Sequence, residues 1–300
     1  MIAVAGSTGY IGGLLCGRLR EEGQQVRALA RHPERAEDLK GAGCEVVRAD
    51  VLEPDSLGPA LSGVDLAYYL VHSMGRGSGS DFAARDLQGA ENFAAAAAAA
   101  GVQRIVYLGG LGEGSKHLDS RHETAQTLRR GAVPVAYFRA AAVIGAGSES
   151  FRTAFYLVRR LPLMVTPRWV ATRTQPIAVA DVVAYLAAAA DLSLPVDREI
   201  EIGGPDVTTY GGMIDELARA LGRHPPRRIT VPLLTPWLSS LWIGLVTPVD
   251  AGGGDAILYV GAQTTDMSLE ELSWYVDNTV ARRLLGVSGV ATVRPCPPRA

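Results

Sequence analysis

The sequence predicts an α/β fold, a doubly wound, mostly parallel sheet with helices on both faces and a smaller C-terminal region. Three observations predict it. The chain opens on a short apolar run, Met1–Ala5, which passes through a glycine-punctuated turn into apolar residues at helical spacing, Leu14, Leu15 and Leu19. Short apolar runs then alternate with helical stretches to about residue 148. One run, Val64–Val71, is almost continuously apolar, as in strands covered on both faces of a parallel sheet.

The 300 residues suit one large α/β unit or two modest domains. A net charge of −2 argues against a nucleic-acid partner or an anionic membrane surface. Cys16, Cys44 and Cys296 are far apart and outside any Cys-x-x-Cys pattern. They predict a reducing cytoplasm, no disulfide framework and no metal site. With an apolar strand-like run at Met1, no signal peptide is expected.

The first turn reads Gly6-Ser7-Thr8-Gly9-Tyr10-Ile11-Gly12. Strand, glycine turn and helix are the opening of a dinucleotide-binding βαβ unit. Gly6 allows the tight turn, Gly9 lets backbone approach a pyrophosphate, and Gly12 lets the helix pack on the strand. All seven residues are candidate contacts for an anion seated on the helix N-terminus.

Strand two is predicted over Gln25–Arg31. An acidic residue at this tip would bind the ribose 2′-hydroxyl of NAD(H), but the chain has Arg31 and His32 there. A guanidinium suits the 2′-phosphate, so NADP(H) is expected over NAD(H). A helix is read over Pro33–Lys40 and strand three over Cys44–Asp50. Asp50 and Val51 fall beside an adenine edge, although Asp50 equally caps the turn into Pro54–Leu61. Strand four, Val64–Val71, runs into a Gly/Ser-rich loop, His72–Ser80, which makes Val71 and His72 candidate contacts. A long helix over Asp81–Gly101 precedes strand five (Gln103–Leu108), the loop Gly109–Ser115, a helix (Leu118–Arg130) and strand six (Val133–Arg139). Gly109 and Ala140, small residues after two strands, are read as lying beneath a nicotinamide ring.

Residues 1–148 are read as the dinucleotide-binding core and 149–300 as a C-terminal region. Within the latter, about 175–205 is expected to rejoin the sheet. Phe151–Leu161 reads as helix, Pro162–Val170 as extended, and Thr208–Leu221 as helix. Phe151, Tyr156, Met164 and Trp169 line a small-molecule pocket or simply fill a core. Leu233–Val246 is apolar but short, with Pro236 inside it, so no integral membrane span is expected. It reads as a packed helix or as the face of a homodimer.

With these motifs in hand, the chain resembles the atypical short-chain dehydrogenase/reductase superfamily, near its NmrA-like and NAD(P)H-binding branches. The resemblance rests on Gly6-x-x-Gly9-x-x-Gly12, Arg31, Tyr69–Gly75, Tyr107–Gly110, Phe138-Arg139 and Gln175–Val179. It implies a Rossmann-type sheet of about seven strands, bound NAD(P)H, and a C-terminal region shaping a substrate cleft. Catalytic members place Ser or Thr after strand five and Tyr-x-x-x-Lys on the next helix, the lysine lowering the tyrosine pKa. Here strand five ends in Gly109-Gly110 and the next helix is read with neither tyrosine nor lysine. Only two of the 29 basic residues are lysines, Lys40 and Lys116, and neither follows a tyrosine by four.

Substitute catalytic candidates are His72, Arg121 and His122, with Glu123 beside them. Helical spacing puts Arg121 with Ala125 on one side and His122 with Gln126 on another. Two functions stay open. One is an NADP(H)-dependent oxidoreductase acting on a small molecule with an unconventional proton donor, or none. The other is a non-catalytic NADP(H)-binding redox sensor. Sugar-nucleotide epimerase or dehydratase chemistry is disfavoured, because it too uses the missing pair.

Overall fold

A computed structural model of the chain describes residues 1–71, 79–112, 116–166 and 168–230. In chain order the first elements are β1 (Ile2–Ala5), α1 (Tyr10–Glu21), β2 (Val26–Ala30), α2 (Glu37–Gly41), β3 (Glu45–Arg48) and α3 (Pro54–Leu61). Then come β4 (Leu66–Tyr69), α4 (Gly79–Ala99), β5 (Arg104–Gly110), α5 (Lys116–Arg129) and β6 (Val135–Ala140). The chain continues through β7 (Val143–Ile144), α6 (Glu149–Arg160), β8 (Leu163–Thr166), β9 (Arg173–Thr174) and β10 (Ile177–Ala178). It goes on through α7 (Val179–Ala188) to β11 (Glu199–Ile202), and closes with β12 (Thr208–Thr209), α8 (Tyr210–Ala220) and β13 (Arg227–Thr230).

Two compact units result. The first comprises Met1–Ala141 and Val182–Ile202; the second comprises Ala142–Asp181 and the described residues from Gly203 on. The first unit holds a seven-stranded sheet in the order β11-β6-β5-β4-β1-β2-β3, with every neighbouring pair parallel. This is the expected Rossmann-type α/β architecture. The order reverses between β1 and β4, and ligands of open α/β sheets lie at the carboxyl ends of the strands at such a switch point.

Burial follows the sequence pattern. β1 and β4 are buried at every position, which is why they read as unbroken apolar runs. On one face Tyr69, Tyr107 and Tyr137 occupy directly paired positions of β4, β5 and β6. Their ring centroids are 6.0 and 5.3 Å apart, and Phe93 of α4 packs 5.0 Å from Tyr69. Such aromatic pairs add about 0.5–1.5 kcal/mol each beyond area burial. On the other face the Tyr68 hydroxyl donates to the Leu186 carbonyl, 2.7 Å away.

Arg104, at the start of β5, is 2% exposed. Its Nε lies 2.5 Å from the Asp197 carboxylate, and its Nη groups donate to the carbonyls of Ala189, Asp191, Leu192 and Leu194. The arginine thereby ties the loop before β11 to the sheet.

In the second unit Ala154, Leu157, Val158 and Met164 pack with Ile214, Leu217 and Ala218, and Phe151 packs against them. Several boundaries differ from the sequence reading. Pro33–Lys40 is not one helix: Pro33–Arg35 forms a 3-10 turn, and α2 starts at Glu37. Extended chain after Pro162 stops at Thr166, and Arg168–Ala171 is a 3-10 turn. Gly79 and Ser80 already belong to α4.

Candidate functional site

The glycine turn is built as its spacing requires. Gly6 has φ +81°, and a Cβ there would lie 2.7 Å from the Leu70 carbonyl carbon and 3.2 Å from the Val71 nitrogen. A Cβ at Gly12 would run into the Gly6 carbonyl oxygen. The Gly9 amide donates to that same oxygen at 3.0 Å, closing the turn. These contacts bring the ends of β1 and β4 to backbone contact at the switch point. Gly9 caps α1 without any side-chain hydrogen bond, and the first turn of α1 has no acidic residue. Helix N–H groups left in this way suit an anion.

The other candidates of this turn divide by environment. Ser7 is fully buried and its hydroxyl donates to the Leu29 carbonyl at 3.0 Å. Its side chain therefore ties β1 to β2, and only its backbone faces the turn. Thr8 is exposed, whereas Tyr10 and Ile11 are half-buried.

Arg31 and His32 are exposed directly after β2. His32 Nδ1 lies 3.2 Å from Glu34, while Arg31 has no carboxylate partner among the described residues. Asp50 Oδ1 accepts from the Leu52 amide at 2.9 Å, and the Asp50 amide donates to Ser56 Oγ at 3.0 Å. The Val51 carbonyl accepts from Asn92 at 2.9 Å. Asp50 thus serves the turn into α3, with Val51 pinned against α4. Val71 is half-buried beside Gly6. His72 lies outside the described residues, as do Trp237 and Trp242 of the Leu233–Val246 stretch.

β5 runs two residues further than its apolar pattern predicts, through Gly109 and Gly110. A Cβ at Gly109 would lie 2.8 Å from the Tyr137 hydroxyl. At Gly110 a Cβ would lie 2.5 Å from Leu118 and 3.6 Å from Arg121 Nη1. The Arg121 carbonyl accepts from the Tyr107 hydroxyl at 3.2 Å. Ala140 is buried, and its carbonyl accepts from Leu111 at 2.7 Å.

His122 is exposed, 3.3 Å from Gln126 as its spacing predicts, and its ring centroid is 6.3 Å from that of Tyr137. Glu123 is exposed. The structure thus brings Arg121 to the end of β5 and leaves His122 solvent-exposed on the flank of α5 beside Tyr137. That helix opens on Lys116, earlier than the sequence suggested, so it does carry a lysine; the residue four before it is Gly112.

Arg139 of β6 was not singled out as a site residue. Its guanidinium donates to Glu199 at 2.8 Å, to Glu201 at 3.3 Å and to the Gly112 carbonyl at 3.1 Å. It fixes the loop after β5. Alternation along Val135–Ala140 places Tyr137 and Arg139 on one face, which is the signal that was available in the sequence.

A pocket of about 330 Å³ in the second unit is lined by Arg159, Arg160, Arg223 and His224, among others. None of the cofactor or catalytic candidates lines it. Arg223 donates to the Arg159 carbonyl at 2.7 Å, and Arg159 and Arg160 sit over the rings of Phe155 and Tyr156. These cations serve the C-terminal end of α6.

Residues 6–149 match a protein family described as NAD(P)H-binding. The chain carries an NAD(P)H-binding domain. This agrees with the superfamily resemblance read from the residues. Over 235 residues, 74% of each chain, it is 29% identical to a (4-alkanoyl-5-oxo-2,5-dihydrofuran-3-yl)methyl phosphate reductase of Streptomyces griseus. A 2-alkyl-3-oxoalkanoate reductase of Stenotrophomonas maltophilia is 34% identical over 109 residues, 35% of this chain and 32% of that one. The triphenylmethane reductase of Citrobacter sp., solved with NADP(H), has a TM-score of 0.67 at 19% identity, covering 84% of this chain and 86% of its own. UDP-glucose 4-epimerase of Thermotoga maritima has a TM-score of 0.63 at 14% identity, covering 78% and 86%. These two likenesses are ones of fold. The NAD(P)H-binding domain thus has reductases among its relatives, and no helix among the described residues is long and apolar enough to cross a membrane.

Proposed function

We propose that the protein is an NADPH-dependent reductase of a small oxo compound, acting in the reducing cytoplasm that its scattered cysteines suit. The observation that carries this reading is the match to a reductase across 74% of both chains, joined to an NAD(P)H-binding domain. NADPH, when bound, supplies the hydride. The glycine turn suits a dinucleotide, since Gly9 caps α1 with no side-chain hydrogen bond and no acidic residue lies in the helix's first turn.

In this reading the backbone of Gly6–Gly12 and the α1 N-terminus hold the pyrophosphate. Arg31, with His32 beside it, takes the 2′-phosphate, and its exposure without a carboxylate partner among the described residues supports NADPH over NADH. Asp50 and Val51 lie at the adenine. Val71, Gly109 and Ala140 line the nicotinamide end, where Arg121 polarises an acceptor oxygen. The acceptor class follows from the relatives, which are named for a dihydrofuranone phosphate and for 2-alkyl-3-oxoalkanoates. All present a carbonyl next to a substituted carbon.

The sequence contains no Tyr-x-x-x-Lys, which favours a second reading, an NADPH-binding redox sensor without turnover. NADPH consumption with ethyl 2-methylacetoacetate separates the two. Stoichiometric formation of the hydroxy ester supports the reductase. Tight NADPH binding with no product, across this ester and a 2-acylbutenolide, refutes it and leaves the sensor.

A further inference from the structure

The Tyr137 hydroxyl stands where β5 has no side chain of its own. Gly109 ends that strand on the face of Tyr107, and the Tyr137 hydroxyl lies 2.8 Å from where a Gly109 Cβ would be. The Tyr137 ring is stacked on Tyr107 at 5.3 Å, with His122 on α5 at 6.3 Å. Arg121 Nη1 reaches the neighbouring glycine, 3.6 Å from a Cβ at Gly110. Two buried tyrosines have their hydroxyls committed to carbonyls, Tyr68 to Leu186 and Tyr107 to Arg121. The Tyr137 hydroxyl makes no hydrogen bond among the described residues, so its proton is not held by a backbone acceptor there.

We propose that Tyr137 is the proton donor of the reduction and that Arg121 stabilises the phenolate it leaves. A phenol and a cation thus lie at successive glycines of the β5 end, the phenol brought by β6 and the cation by α5. The inference rests on the reductase reading. As the hydride adds to the ketone carbon, the carbonyl oxygen becomes an alkoxide. The Tyr137 O–H bond breaks, an O–H bond forms on the product, and the phenolate is reprotonated from water. Ketone, hydride and one proton give the alcohol.

The groups facing Tyr137 are Tyr107 from β5, Arg121, His122 and Arg129 from α5, Arg139 from its own strand and Glu199 from β11. Burial pushes its phenol up, Arg139 opposes this, Glu199 adds to it, and Arg121 and Arg129 oppose it. Of the cations at this end, Arg139 is engaged by Glu199, Glu201 and the Gly112 carbonyl, whereas Arg121 Nη1 lies 3.6 Å from a Cβ at Gly110.

Tyr137→Phe keeps the ring and its stack, so the fold is retained. With NADPH and ethyl 2-methylacetoacetate it should lower kcat about 100-fold, the order that a positioned proton donor contributes, and leave KM and the NADPH Kd unchanged. Gly109→Ala, whose Cβ displaces the hydroxyl, should lose kcat similarly although the phenol remains. A readout without turnover is the pH titration of Tyr137 by tyrosine ring-carbon NMR, assigned by its loss in Tyr137→Phe. Arg121→Gln removes a favourable positive charge and should move that deprotonation to higher pH. A kcat in Tyr137→Phe within threefold of wild type, or a titration indifferent to Arg121→Gln, overturns the proposal while leaving the reductase standing. Wild-type protein that binds NADPH but reduces neither ester nor butenolide overturns both.

Discussion

Three single substitutions to alanine separate the two demands placed on Gly6. Its φ of +81° is a left-handed conformation, and its Cβ would approach the Leu70 carbonyl carbon to 2.7 Å. Gly23 has nearly the same φ, +80°, but nothing within 4 Å of its Cβ position. Gly17, inside α1, has neither constraint: its φ is ordinary and no atom lies within 4 Å. A left-handed conformation costs a non-glycine residue about 1–2 kcal/mol. Overlap with backbone that cannot rotate away adds about 1–3 kcal/mol, as overpacking does. Gly6→Ala should therefore lose about 2–5 kcal/mol in urea unfolding and Gly23→Ala about 1–2 kcal/mol. Gly17→Ala should gain about 0.5–1 kcal/mol, since alanine is the better helix former. Because Gly6 also sets the turn under the pyrophosphate, its variant should bind NADPH at least about tenfold more weakly, a difference of about 1.4 kcal/mol, while the other two bind normally. If Gly6→Ala is no less stable than Gly23→Ala and binds NADPH like the wild type, the backbone approach of β1 to β4 is not what this turn requires.

Two further outcomes follow from buried groups. Arg104→Met removes two donors from Asp197 and one from each of four carbonyls and should cost about 2–4 kcal/mol, with hydrogen exchange accelerating over residues 189–197 before the rest of the sheet; unchanged exchange there would mean that the loop is held otherwise. The Cys44 thiol is lowered to about 7 by the hydrogen bond from Cys16, against burial and with help from the Arg20 guanidinium, whereas Cys16 is raised. Alkylation in native protein should therefore select Cys44, rise through a midpoint of about 7, and shift to higher pH in Arg20→Gln. Preferential labelling of Cys16 would contradict that assignment.

The sheet was readable because its central strands are buried on both faces, so Met1–Ala5 and Val64–Val71 carry their own signal. The glycine turn was readable because its demands are steric and local. Other features depend on partners distant in sequence. Arg104 looks like a solvated strand start until the loop 189–197, some 85 or more residues later, folds over it. Tyr137 reads as one residue of strand six, and only the register of β6 on β5 puts its hydroxyl at Gly109. Ser7 looks like a ligand-facing hydroxyl, yet its partner is the Leu29 carbonyl of the neighbouring strand. Pro33–Lys40 has a helical composition, but Pro33 opens a 3-10 turn and the α-helix starts after it. Arg121 and His122 are adjacent in sequence, and packing of Ala125 and Leu128 against the sheet is what turns the first toward the end of β5 and the second toward Tyr137 of β6.

The central claim is that this unit binds NADPH through the glycine turn and Arg31. A fluorescence titration with NADPH and, separately, NADH, repeated on Arg31→Glu, tests it most directly. NADPH should bind tightly, and the charge reversal should weaken it by about 30-fold or more, from loss of a charge-assisted contact plus repulsion, with NADH little affected. Equal binding of both dinucleotides, untouched by Arg31→Glu, would contradict the assignment of Arg31. Failure of either to bind would contradict the reading of Gly6–Gly12 itself.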